Sequence, residues 1–184
     1  SITNCLLPLP RRDLPGKLML ATPNGSLRAG GHTTTTAIRR KIGNKTYEKY
    51  FSFAVIREPY DWLVSLFECD VHRANRGVRA RCSFEFFIGQ FHSMGERLQS
   101  YWLTRHGDID VHTLIQFEDL DSGINAIKKR FGISNPLQRL NIRSKNNVEN
   151  HYANKQITDK ATKLLEIDLR LYAEMPPDDW RNKI

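Results

Sequence analysis

Apolar residues gather in two ways along this chain, as short solid runs and as recurrences at helical spacing, and the two alternate. The clearest run is Tyr50-Phe51-Ser52-Phe53-Ala54-Val55-Ile56. It is aromatic and β-branched and nearly all apolar, the pattern of a buried parallel strand. It ends in Arg57-Glu58-Pro59, and proline suits the first turn of a helix. Leu63, Val64, Leu66, Phe67 and Val71 then recur at helical spacing. The unit reads as strand, tight turn, helix.

The same reading extends both ways. The first thirty or so residues are rich in Pro and Gly and predict loop, with a short apolar piece over 18–20. Thr33 to Thr36 offer N-caps to a helix over 37–42 that Gly43 stops. Residues 84–88 predict a helix and 111–117 a second strand. Asp121 or Ser122 is the expected cap of a helix with Ile124, Ile127 and Phe131 on its apolar face, closed by Gly132. Residues 135–154 are polar and loop-like, and 157–172 form a long amphipathic helix. Strands alternating with helices predict an α/β fold, a mainly parallel sheet flanked by helices. With no internal repeat or boundary in sight, it is expected to form a single domain over residues 1–184.

Composition narrows the partners without choosing a function. A net charge of +8 favours an anionic partner (a nucleotide, a nucleic acid, an acidic glycan or a membrane surface) or simply a solubilising surface. Cys5, Cys69 and Cys82 leave one thiol unpaired, so they make no disulfide framework. Cys69, His72 and Cys82 lack a fourth ligand at a zinc spacing, and no metal is expected. No apolar run approaches a membrane span and the start has no signal pattern. That combination points to the cytoplasm, although a Golgi-lumenal enzyme trimmed of its anchor would read the same. Opening on Ser1 rather than methionine suggests a processed or trimmed chain.

Chemistry concentrates where β-strands give way to helices. In an open α/β sheet, ligands sit beyond the carboxyl ends of strands, where helix N-termini present free N–H groups. Arg57 stands there, and a guanidinium grips phosphate in a fork that lysine cannot make. Ser65, two turns on, can add a hydroxyl to the same anion. The alternative is an arginine paired with Glu58 or Asp61 and a serine on a helix face.

The segment Phe53-Ala54-Val55-Ile56-Arg57-Glu58-Pro59-Tyr60-Asp61-Trp62-Leu63-Val64-Ser65-Leu66-Phe67 resembles the 3′-phosphate-binding segment of the sulfotransferases that use 3′-phosphoadenosine 5′-phosphosulfate (PAPS). The family pattern is an apolar strand, Arg, any residue, Pro, then Leu-Val-Ser. The resemblance gives Arg57 and Ser65 the 3′-phosphate, and it implies a P-loop, nucleotide-kinase-like fold. Glu58 departs from the usual Asn or Asp, and Trp62 from a frequent Arg. Gly31-His32 is similar to the Gly-His or Lys-His segment of carbohydrate sulfotransferases, heparan sulfate 2-O-sulfotransferase and its bacterial relatives above all. There the histidine is the catalytic base, a role that suits an imidazole titrating near neutrality. His32 inherits that candidacy, the alternative being a loop histidine beside the threonine-rich helix.

Weaker likenesses complete the picture. Leu114-Ile115-Gln116-Phe117-Glu118-Asp119-Leu120 resembles a family strand ending in an acidic turn, and 157–172, with Asp168 inside, its final helix. Gln99-Ser100-Tyr101-Trp102-Leu103 is similar to a segment near the acceptor, where Trp102 could stack on a sugar or serve as a core aromatic. Arg143 and Lys145 could touch the nucleotide or lie in a solvated basic loop. The family's Lys-x-Gly-Thr loop for the 5′-phosphosulfate has no counterpart before His32. Ser1-Ile2 looks like its tail, with 3–7 continuing into its helix, so Ser1 is read as a last loop residue of an N-terminally truncated domain. The implied activity is transfer of a sulfuryl group from PAPS to a hydroxyl acceptor, a carbohydrate for preference, without a metal. The partners are then the nucleotide donor and a glycan, and no nucleic acid is expected. The rival is a non-catalytic basic module, a degenerate sulfotransferase or a polyanion or nucleic-acid binder, using Arg73, Arg76, Arg79 and Arg81.

Overall fold

The structure, a computed structural model, describes residues 5–8, 19–20, 34–73, 82–93, 97–134 and 148–175. In chain order the elements are β1 (Cys5–Pro8), β2 (Met19–Leu20), α1 (Thr35–Ile42), α2 (Asn44–Tyr47), β3 (Tyr50–Ile56), α3 (Pro59–Arg73) and α4 (Phe84–Gln90). Then follow α5 (Gln99–Leu103), β4 (Thr104–Arg105), β5 (Asp108–Ile109), β6 (Thr113–Gln116), α6 (Leu120–Phe131), α7 (Val148–His151) and α8 (Lys155–Glu174). They fall into two units, one drawn from 1–56, 99–138 and 175–184, the other from 57–98 and 139–174.

The first unit carries a four-stranded sheet in the order β2-β1-β3-β6. β3 and β6 run parallel, with Phe53 opposite Thr113 and Ile56 opposite Gln116. Parallel neighbours need a long crossover, and the chain supplies one in the helices between them. β1 lies antiparallel on the other side of β3, Cys5 opposite Phe53 and Pro8 opposite Tyr50, and β2 pairs antiparallel with β1. The sheet is therefore mixed: the pair expected from the solid apolar runs is parallel, and short N-terminal strands extend it with the other sense. The helix expected over 3–7 is not found where that stretch is described, since Cys5–Pro8 is strand. Four residues carry no helical period of their own, and the edge of β3 supplies hydrogen bonds that they cannot make alone.

Packing in this unit follows the apolar faces. Phe51, Phe53, Ile115 and Ile127 form a buried cluster with Ile124 and Phe131 against it. Gly123 lets α6 approach β6 closely, because a Cβ there would stand 2.7 Å from Cγ2 of Ile115. Thr34 caps α1 as expected, its hydroxyl accepting from the Ala37 N–H at 3.1 Å, and Gly43 ends it at φ 82°. Gly132 closes α6 in the left-handed region at φ 64°. The start of α6 differs from expectation. Phe117–Asp119 make a tight 3-10 turn that leads into the helix, so Asp119 holds the cap position and Asp121 falls within the first turn. An acid there still complements the helix dipole.

The second unit is helical, built from α3, α4, α7 and α8. Leu63, Val64, Phe84, Phe87, Ile88, Phe91, Ala161 and Leu165 are its buried core. Phe67 meets Phe84 and Phe87 at ring distances of 5.3 and 5.5 Å. Each such side chain contributes about 1.5–3 kcal/mol on burial, whereas the exposed Lys160–Glu85 pair at 2.7 Å is worth under ~1 kcal/mol. α7 lies within the segment expected to be loop. Its polar sequence hides a turn of helix that tertiary contacts hold, with Tyr152 just beyond it edge-on to Tyr60 at 5.1 Å.

Candidate functional site

Arg57 and Glu58 are the two residues between β3 and α3, and both work on the first turn of that helix. Its backbone N–H groups have no intrahelical partners and must be met by other groups. The Glu58 carboxylate takes one of them, accepting from the Asp61 N–H at 2.7 Å, while the Glu58 carbonyl accepts from Trp62 N–H at 2.8 Å. Glu58 is thus the N-cap of α3, which explains why it can stand where Asn or Asp is usual: the position calls for a short-range acceptor.

Arg57 folds forward onto this turn, its Nε donating to the Asp61 carboxylate. Both side chains are about a quarter exposed, at 25% and 27%. The pairing read as the alternative from sequence is therefore present. It does not remove the arginine from the anion-binding end of the helix; it fixes where the guanidinium lies. Asp61 and Ser65 are four residues apart, on one stripe of α3 beside its apolar face. One turn of helix separates them, a rise of about 6 Å, and two charge-assisted hydrogen bonds of roughly 2.8 Å placed on either side of an anion span such a gap. Glu58 and Asp61 set two carboxylates against one guanidinium, so the site is not strongly cationic.

The turn is held from the far part of the same unit. The Tyr152 hydroxyl donates to the Tyr60 carbonyl at 3.0 Å, and the Tyr60 hydroxyl lies 2.7 Å from Oγ1 of Thr162. Thr162 in turn donates to the Thr158 carbonyl at 2.8 Å, and Thr158 to that of Tyr152 at 3.0 Å. Burial, and then the neighbouring Glu58, Tyr60 and Asp61, push the Tyr152 phenol above its ordinary range, which keeps it a donor. None of Tyr152, Thr158 and Thr162 was marked by sequence, since their partners lie up to 102 residues away. Asp61 carried a legible signal in its i+4 spacing from Arg57.

The other sequence candidates are placed as follows. His32, Ser1 and Arg143 lie outside the described residues. Trp102 belongs to the first unit, on α5, partly buried and edge-on to Tyr101 at 5.1 Å. That unit also holds a polar cluster unforeseen from sequence. Arg39 grips Asp110 through Nε at 2.8 Å and Nη2 at 2.6 Å, pairs with Glu48, and lies 3.9 Å from the Tyr47 ring centroid. Asp110 first and then Glu48 hold the Arg39 guanidinium above its usual range against the opposing effect of burial. Among the described residues no group of three or more His, Cys, Asp or Glu side chains is placed to hold a metal ion, and no helix is long and apolar enough to cross a membrane.

Compared with known proteins, the chain matches the sequence model of the Sulfotransferase family over residues 23–183. Neither the curated proteins nor the solved structures return a match.

Proposed function

The chain belongs to the sulfotransferase family, and from that premise we propose that it moves a sulfuryl group from PAPS to a hydroxyl of a carbohydrate, with Arg57 and Ser65 holding the 3′-phosphate of the donor. The observation that carries this reading is that Arg57 stands just before α3, at the end where anions bind, and Ser65 follows about two turns along the same helix, with the spacing of the family's 3′-phosphate segment. The family match runs across both units, which favours treating them as one sulfotransferase-like domain of P-loop, nucleotide-kinase type.

In this reading the acceptor oxygen attacks sulfur in line, its bond to sulfur forms as the bond from sulfur to the phosphate oxygen breaks, and His32 takes the hydroxyl proton. Trp102 is assigned to the acceptor sugar, and Arg143 and Ser1 are assigned to the nucleotide by the family resemblance alone. The likeness of Gly31-His32 to the heparan sulfate 2-O-sulfotransferases favours a polysaccharide acceptor. No described residue is assigned to the 5′-phosphosulfate. Preorganised groups around the leaving and entering oxygens supply most of the acceleration in group transfer of this kind.

Transfer of labelled sulfuryl from PAPS to a desulfated polysaccharide tests it, with His32→Ala alongside. Transfer by the wild type, lost in His32→Ala while nucleotide binding persists, is the expected result. Nucleotide binding without transfer to any hydroxyl acceptor would overturn the enzymatic reading in favour of a binding module. Undiminished turnover in His32→Ala would remove the histidine from its role.

A further inference from the structure

We infer that Asp61 is a positioning residue that sets the Arg57 guanidinium for the 3′-phosphate and so determines how strongly the site prefers a 3′-phosphorylated nucleotide; this rests on the assignment of Arg57 and Ser65 above. Arginine is the costliest kind of side chain to order, and a flexible one must be immobilised as the anion arrives. Here the ordering is done in advance. Asp61 takes Nε of Arg57, and Asp61 is itself anchored, its N–H donated to Glu58 at 2.7 Å. The turn that carries both is tied by Tyr152 through the Tyr60 carbonyl. Asp61 thus holds the guanidinium directly, while Glu58 and Tyr152 hold the turn that carries Asp61.

The same carboxylate has an opposing effect. It is a negative charge on the stripe shared with Ser65, one turn away, and it repels an incoming phosphate. With both side chains about a quarter exposed, solvent screens that repulsion. The hydrogen bond that fixes the rotamer is local and is not screened in this way. Positioning and charge are separable by substitution. Asp61→Asn keeps an oxygen acceptor for Nε and removes the charge; Asp61→Ala removes both. If positioning governs, the two variants part company, although they carry the same net charge.

The measurement is the affinity of adenosine 3′,5′-bisphosphate and of adenosine 5′-monophosphate for the wild type, Asp61→Asn, Asp61→Ala and Arg57→Ala, with a thermal melt of each. For the bisphosphate, Asp61→Asn should bind at least as tightly as the wild type. Asp61→Ala should bind roughly fivefold more weakly than Asp61→Asn, the cost of ordering one rotamer-rich side chain. For the monophosphate, which lacks the 3′-phosphate, the two variants should agree. A general loosening of the helix would weaken both ligands alike, so this contrast is one that a merely structural role does not produce. Equal bisphosphate affinity in Asp61→Asn and Asp61→Ala overturns the positioning role. If instead the wild type fails to favour the bisphosphate, or Arg57→Ala keeps that preference, the phosphate assignment itself fails and the inference with it. Should Asp61→Ala fail to fold, the comparison of Asp61→Asn with Asp61→Ser, whose shorter hydroxyl does not reach the guanidinium, carries the same contrast.

Discussion

The hydroxyl of Tyr152 donates to the main-chain carbonyl of Tyr60 at 3.0 Å, so a residue following α7 holds the first turn of α3 from 92 positions away. The two rings meet edge-on at 5.1 Å, and Tyr152→Phe keeps that contact while deleting the hydrogen bond. The carbonyl has its helical partner as well, so the loss is that of one neutral hydrogen bond, about 1 kcal/mol of stability. Urea unfolding should show this. Affinity for adenosine 3′,5′-bisphosphate should also fall roughly threefold, the equivalent of about 0.7 kcal/mol, because the loosened turn carries Arg57. Stability lost with affinity untouched would confine Tyr152 to the fold.

Gly123 makes a sharper packing prediction. Its added Cβ would meet Ile115 at 2.7, 3.0 and 3.1 Å, and Ile115 is fully buried and β-branched, so it has little room to turn. Alanine gains up to about 1 kcal/mol in helix propensity, but overpacking of this kind costs about 1–3 kcal/mol. Gly123→Ala should therefore be destabilising by about 1 kcal/mol in net terms, and Ile115→Val in that background should recover part of the loss. Denaturant midpoints of the two variants and the pair check it.

Burial pushes the Tyr47 phenol up to about 12 from 10.0. The protonated ring is the form that donates to the Asp110 carbonyl at 2.7 Å and underlies the Arg39 guanidinium. Because the folded value lies above the unfolded one, the contribution is complete below about pH 10 and is lost as pH rises through about 12. Stability should fall over that alkaline window. Tyr47→Phe should flatten the fall while lowering stability at neutral pH. Phenolate absorbance together with unfolding curves across the window measures both.

These features differ in how far the sequence discloses them, and the reason is range. β3 is legible because six of its seven residues are apolar, and α3 because Pro59 and a helical recurrence follow at once. Arg57 and Ser65 could be singled out from the sequence because the proposed site lies within one short segment. β1 is not, since a four-residue strand takes its identity from the edge it pairs with. The same holds for α7, where a polar turn of helix is held by Tyr152 and its hydroxyl partners. Asp119 displaced Asp121 as the cap of α6 because the preceding tight turn, set by tertiary context, moved the boundary back. Glu58 shows the reverse case: a departure from the family pattern that its carboxylate, accepting from the Asp61 N–H, explains.

The most direct measurement is a calorimetric titration of adenosine 3′,5′-bisphosphate into the wild type and Arg57→Ala. Truncating one partner of a hydrogen-bonded charge pair costs about 2–5 kcal/mol, so binding should weaken by roughly thirtyfold or more with the fold intact. Equal affinity in the two proteins would contradict the assignment of the 3′-phosphate to Arg57.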